Sequence, residues 1–122
     1  MRNGVVNLKE AAKSLKEHWS PKVVAELDDS YVKVAKLLGS LTWHHHENED
    51  ELFLVLSGRL RIELRSEVID LAEGESYVVP KGVFHNPVAE QECLIMLIEK
   101  KTTAHTGNVI TEKTRSIEDQ LR

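Results

Sequence analysis

A run of three histidines followed by acidic residues is the part of this sequence best suited to chemistry. His44, His45 and His46 lie in the middle of the chain, within residues 41–46, which have the pattern of a β-strand. In a strand the side chains alternate, so His44 and His46 would share one face and His45 would take the other. Backbone positions i and i+2 are about 6.5 Å apart, and both imidazoles could then bind one ion through bonds of about 2.1 Å.

Two further residues could complete such a site. The turn at residues 48–50 reverses the chain, so that Glu51 begins the partner strand and can direct a carboxylate at the same point. His85 follows the turn at residues 80–82 and begins another strand. Three imidazoles and one carboxylate suit a divalent metal ion and leave positions open for water or substrate. The spacing alone is equally consistent with a structural cluster of histidines.

The elements that must position these residues are short strands. From residue 23 to residue 100 apolar and polar residues alternate with a period of two, and turn-forming residues interrupt the pattern. The predicted strands are 23–27, 31–38, 41–46, 52–57, 59–65, 67–71, 76–80, 83–89 and 92–100. This many strands without intervening helices indicate an all-β fold, either a closed barrel or a sandwich.

The two ends of the chain have a different pattern. Residues 7–19 have apolar residues at helical spacing, with Asn7 as N-cap and Glu10 as its capping-box partner. Residues 101–122 are polar and rich in threonine, which predicts a surface arm with a short helix at 117–121, or a partly disordered arm. We therefore expect one domain over residues 1–122, with the barrel at about 23–100.

Composition excludes several classes of function. The 122 residues include 20 acidic and 16 basic side chains, for a net charge of −4, which disfavours a nucleic-acid partner. The longest apolar run, residues 94–98, is far shorter than the ~20 residues that span a bilayer. No signal-like segment opens the chain, and its one cysteine, Cys93, cannot form an internal disulfide. We expect a cytoplasmic protein without a membrane partner.

The histidine region resembles the first motif of the cupin superfamily, G-(x)5-H-x-H-(x)3,4-E-(x)6-G. Four residues separate Gly39 from His44, one fewer than in the motif. From His46 to Glu51 and from Glu51 to Gly58 the spacing agrees.

The region around His85 resembles the second cupin motif, G-(x)5-P-x-G-(x)2-H-(x)3-N. Gly74, Pro80, Gly82 and His85 have the stated spacing, and only the final position differs, with Ala89 in place of asparagine. Residues 59–73 separate the two motifs, the short spacing of small single-barrel cupins.

This resemblance implies a double-stranded β-helix, or jelly-roll, barrel with His44, His46, Glu51 and His85 as metal ligands. It implies a divalent ion (Fe, Mn, Ni, Co or Zn), a small-molecule ligand or substrate, and a homodimer. Such barrels support dioxygenation, sugar-phosphate isomerisation, decarboxylation or plain binding, and the fold does not choose among them. We expect a small metalloenzyme acting on an oxygen-rich substrate, dioxygenase-like or isomerase-like. The alternative is a metal-dependent binding protein without turnover.

Other residues near the motifs are weaker candidates. Lys36 would share the face of His44 if no bulge intervenes, and it could then contact an anion or a carbonyl group. We expect Tyr77 and Phe84 to belong to the core and Cys93 to be buried and inert. His105 lies outside both motifs, and the sequence assigns it no role.

Overall fold

A computed structural model describes residues 3–107 and 109–122. Its elements in chain order are α1 (Leu8–Lys13), β1 (Lys22–Leu27), β2 (Ser30–Ser40), β3 (Glu51–Ser57), β4 (Leu60–Leu64), β5 (Val68–Leu71), β6 (Ser76–Val79), β7 (His85–Lys100) and α2 (Ile117–Gln120). The expected all-β jelly-roll barrel with a short N-terminal helix is confirmed. None of the helices in the described ranges has the length and apolar character needed to cross a membrane.

Strand β7 connects the two layers of the barrel. Its C-terminal half pairs with β2 and β3 in a layer of order β1-β2-β7-β3-β6, and its N-terminal half pairs with β4, which in turn pairs with β5. All these pairings are antiparallel. The strands predicted at 83–89 and 92–100 are therefore one strand, interrupted by a bulge where the register to β2 shifts between Leu37 and Gly39.

Side chains that point inward at alternate positions along the strands form the core. Ala35 and Leu37 of β2, Phe53 of β3, and Ile95 and Leu97 of β7 are all buried in one apolar cluster inside the barrel. Each buried leucine, isoleucine or phenylalanine side chain contributes about 1.5–3 kcal/mol through the area that it removes from water. The inner face at one end of the same strands holds the charged residues described below.

Helix α1 is shorter than the sequence pattern predicts. Asn7 caps it as expected, since its Oδ1 accepts a hydrogen bond from the Glu10 N–H at 3.0 Å. The helix nevertheless ends at Lys13, and Trp19 has φ 58°, which no helix accommodates. Trp19 is buried among core residues, and its Nε1 donates to the Leu38 carbonyl oxygen at 2.7 Å. The indole thus belongs to the barrel core rather than to a helical face.

In the C-terminal segment (101–122), the described residues, 101–107 and 109–122, pack onto the barrel more closely than a surface arm would. The short helix α2 forms near the predicted position, but Thr103, Thr106 and Gln120 are almost completely buried. At Gly107 an added Cβ would lie 2.4 Å from the His45 carbonyl oxygen. Only glycine permits so close an approach of the C-terminal segment to the histidine run.

Candidate metal centre

The fold brings His44, His46, Glu51 and His85 together inside the barrel. Their potential ligand atoms all lie within 4.8 Å of one another, and all four side chains are buried. His44 and His46 come from the loop between β2 and β3, Glu51 is the first residue of β3, and His85 is the first residue of β7. These are the four residues that the sequence motifs indicate as ligands.

The segment at 41–46 positions its histidines without being a regular strand. It forms only an isolated bridge, between His44 and His85, so the strand predicted there is wrong. The alternation of side chains holds all the same, because His44 and His46 are buried while the His45 side chain is one-quarter exposed. The His45 ring contacts Phe84 instead, with ring centroids 4.3 Å apart.

Backbone carbonyl groups set the orientation of two of the imidazoles. His44 Nδ1 lies 2.9 Å from the Thr42 oxygen, and His85 Nδ1 lies 3.0 Å from the Val83 oxygen. A carbonyl oxygen only accepts, so Nδ1 of each ring carries the proton and donates it. The Nε2 atoms of both rings are then left with free lone pairs, as a metal ligand requires.

Four buried polar atoms in this cluster have no hydrogen-bond partner among the described residues. They are Nε2 of His44, His46 and His85, and Oε1 of Glu51. The Glu51 oxygen lies 3.4 Å from His46 Nε2 and 3.5 Å from His85 Nε2. Leaving such atoms unsatisfied costs about 1–3 kcal/mol each. A divalent cation between them would satisfy all four atoms, so this donor set fits the implied ion.

The charge states of two ligands also suit a cation. Burial, followed by the neighbouring His85, lowers the pKa of His44 to about 4, which keeps the imidazole neutral at physiological pH. Burial acts to raise the pKa of Glu51, but contacts with Glu99, His46 and His85 outweigh it and hold that pKa well below its usual range. The site therefore offers a neutral imidazole and an ionised carboxylate.

A buried ion pair that the motifs do not indicate lies beside this cluster. Lys33 Nζ is 2.6 Å from Glu99 Oε1, and neither side chain is exposed. Glu99 is opposite Glu51 in the register of β3 and β7, and burial, then the Glu51 charge, raises the pKa of Glu99 well above its usual value. Period-two alternation could have found both residues, because Lys33 has the parity of Ala35 and Glu99 has that of Leu97.

Two of the weaker candidates lie elsewhere than expected, and one residue without an expected role lies beside the site. Lys36 is on the outer face, where its Nζ donates to the Leu15 carbonyl oxygen at 2.7 Å. The register of β2 to β7 shifts just after it, between Leu37 and Gly39, so the parity of Lys36 does not continue to His44. Phe84 is 39% exposed and is not a core residue. His105, to which the sequence assigns no role, is buried beside the candidate site.

Two further residues are where the sequence places them. Tyr77 packs against the core as expected. Cys93 is buried, and burial raises the pKa of its thiol to about 11.

Two cavities adjoin the cluster. The inner cavity has a volume of about 30 Å³, room for one or two water molecules. It is mostly apolar, with His44, Glu51 and His105 as its polar members; the other lining residues are Trp19, Pro21, Ala35, Leu37, Leu41, Phe53, Pro87, Ile95 and Leu97. The outer groove, of about 440 Å³, runs past His46 between residues 45–49 and the C-terminal segment.

Comparison with known proteins agrees with the motifs. A family model described as a cupin domain matches residues 31–99. The uncharacterised protein YdbB of Bacillus subtilis is 33% identical over 96 residues, which cover 78% of this chain and 85% of YdbB.

Solved structures agree as well. A cupin-2 domain protein from Shewanella frigidimarina is 44% identical, with a TM-score of 0.77, over 80% of this chain and 95% of that one. Protein NMB1881 from Neisseria meningitidis is 31% identical, with a TM-score of 0.73, over 80% of this chain and all of that one. The matched family segment includes all four candidate ligands and ends at Glu99, before the C-terminal segment. The chain belongs to the cupin family.

Proposed function

We propose that this cupin binds one divalent metal ion through His44, His46, Glu51 and His85. The observation that carries this proposal is the convergence of four buried, unpartnered donor atoms within 4.8 Å. Imidazole with one carboxylate suits Fe, Mn, Ni, Co or Zn, and their relative affinities alone do not select one.

We further propose that the bound ion serves a small metalloenzyme acting on an oxygen-rich substrate. The ion would supply Lewis-acid chemistry, while the chain orients the ligand rings and excludes water with the apolar wall of the inner cavity. Dioxygenase-like chemistry fits better than sugar-phosphate isomerisation, because the inner cavity is small and arginine lines neither it nor the outer groove. Arg59 and Arg61 instead line a separate groove with Asp70 and Glu90.

The second candidate is a metal-dependent binding protein without turnover. For this candidate as for the enzyme, the inner cavity of about 30 Å³ has room for no more than one or two water molecules beside the four metal-binding side chains. A larger substrate would have to approach along the outer groove, past His46. Enzyme and binding protein therefore differ in whether a substrate is consumed, not in the ligand set.

The test is elemental analysis of untagged protein purified without added metal. About one equivalent of a divalent metal per chain supports the site. Iron would direct the search to oxygen uptake with diketones and catechols, and consumption of oxygen would favour the enzyme. A metal-loaded protein that binds such compounds without consuming oxygen would favour the binding protein. A protein that neither contains metal nor takes it up on reconstitution would refute both.

Residues 1–122 are also proposed to be one domain that assembles as a cytoplasmic homodimer. Strands β1 and β6 end the larger layer, and the outer edge of such a strand can pair with a second copy. Light scattering coupled to size-exclusion chromatography would test the dimer, and a mass equal to one chain would refute it.

A further inference from the structure

A lysine and a glutamate inside the barrel are the least expected feature of its interior. Lys33 and Glu99 have 0% and 1% exposure, and their ion pair is 2.6 Å long. Removing two charges from water costs several kcal/mol per ion, and apolar residues of similar volume often stabilise a fold as well or better. Stability alone therefore does not account for this pair.

The pair lies directly behind one candidate ligand. Glu51 and Glu99 are directly opposite each other in the register of β3 and β7, and both side chains are buried. Glu51 faces His46 and His85 with Oε1. Glu99 faces Lys33 with its own Oε1. Lys33, Glu99 and Glu51 thus form a row that leads to the three imidazoles.

The C-terminal segment fixes the far end of this chain of contacts. Lys33 Nζ also donates to Gln120 Oε1, and Gln120 is fully buried. The Gln120 Nε2 donates in turn to the Arg115 carbonyl oxygen at 3.0 Å. The ammonium group of Lys33 is therefore held between a strand of the barrel and the last helix, with little freedom to move away from Glu99.

We propose that Lys33 and Glu99, anchored by Gln120, are positioning residues that hold the Glu51 carboxylate toward the imidazoles. Lys33 fixes Glu99, and Glu99, buried opposite Glu51, limits how far the Glu51 side chain can turn away from the histidines. This inference rests on the proposed metal site. It assigns the C-terminal segment, which lies beyond the matched family segment, a part in metal binding through Gln120.

The test compares Co²⁺ binding by metal-free full-length variants. Lys33→Met removes the ammonium group but keeps most of the volume. We expect a 10- to 100-fold weaker affinity, the usual effect of losing a partner of a metal ligand, together with an altered Co²⁺ visible spectrum. Lys101→Met is the matched control, because Lys101 forms its ion pair with Glu26, at 3.2 Å in a partly exposed position, and not with Glu99. It should bind Co²⁺ as the wild type does.

A second variant guards against failure of Lys33→Met to fold, which circular dichroism would detect. Gln120→Met leaves the ion pair in place and should weaken Co²⁺ binding by a smaller factor, roughly three- to tenfold. A folded Lys33→Met protein with wild-type affinity and spectrum would overturn the inference but not the metal site. If Lys33→Met does not fold, unchanged affinity in Gln120→Met would overturn the inference. A wild-type protein that binds no Co²⁺ would overturn both the inference and the proposed function.

Discussion

His44 and His85 are joined through their backbones, each N–H donating to the carbonyl oxygen of the other, with N···O distances of 3.0 and 2.9 Å. Their imidazole rings lie 4.3 Å apart, centroid to centroid. These hydrogen bonds involve no side-chain atom. The two motifs are thus brought together by the fold itself, and the ligand geometry does not depend on an ion to assemble it.

The first prediction concerns His46→Ala. Because backbone pairing and the apolar core hold the barrel together, we expect the variant to remain folded while it loses a donor atom from the site. Loss of a hydrogen-bond partner of a metal ligand typically lowers metal affinity by about 10- to 100-fold. Loss of a ligand itself should lower it by more. Metal content after dialysis and a thermal melt of the metal-free protein would measure the two effects.

His45→Ala is the matched control for this prediction, since it removes a neighbouring imidazole that faces Phe84 rather than the cluster. It should keep its metal. Equal loss of metal in both variants would contradict the assignment of His46 as a ligand. Unfolding of His46→Ala alone would show that the histidine has a structural role.

The second prediction is that the metal-free protein loses stability as the pH falls from about 6.5 to about 4. Burial lowers the pKa of both His44 and His105 to about 4, from 6.5 in an unfolded chain. Within this window the unfolded state binds protons that the folded state does not, so acid favours unfolding. The effect is on the order of 2–3 kcal/mol for each histidine. Urea unfolding at pH 7.5, 5.5 and 4.5 would measure it.

His105→Gln supplies the control, because glutamine can still accept the hydrogen bond that the Arg115 N–H donates to His105 Nε2 at 2.7 Å. Its stability should depend less steeply on pH over the same window. A His105→Gln protein whose stability depends on pH as steeply as that of the wild type would show that His105 is not held neutral by burial.

The fold and the four candidate ligands were predictable because they depend on local patterns. Period-two alternation is a property of each strand, and it separated His44 and His46 from His45 even though the segment is not a regular strand. The turns before Glu51 and His85 are also local. The motif spacings then identified four residues that the structure brings within 4.8 Å.

The support of the site was not predictable in the same way. The contact between Lys33 and Gln120 joins residues 87 positions apart in the sequence, and a polar C-terminal sequence gives no indication of where it packs. Burial of His105 has the same origin. Helix α1 ends early because Trp19 turns into the core, a tertiary preference that overrides helical spacing.

The third prediction concerns Gly107, where the C-terminal segment approaches the histidine run. A side chain here is disfavoured twice, by φ 62° and by the His45 carbonyl oxygen 2.4 Å from an added Cβ. Gly74→Ala is the matched control, since Gly74 has φ 83° with no atom within 4 Å of the added Cβ. We expect Gly74→Ala to cost about 1–2 kcal/mol from backbone conformation alone, and Gly107→Ala to release the segment as well. Hydrogen exchange should then accelerate at residues 103–121 in Gly107→Ala only, and equal exchange in the two variants would mean that the close approach does not hold the segment in place.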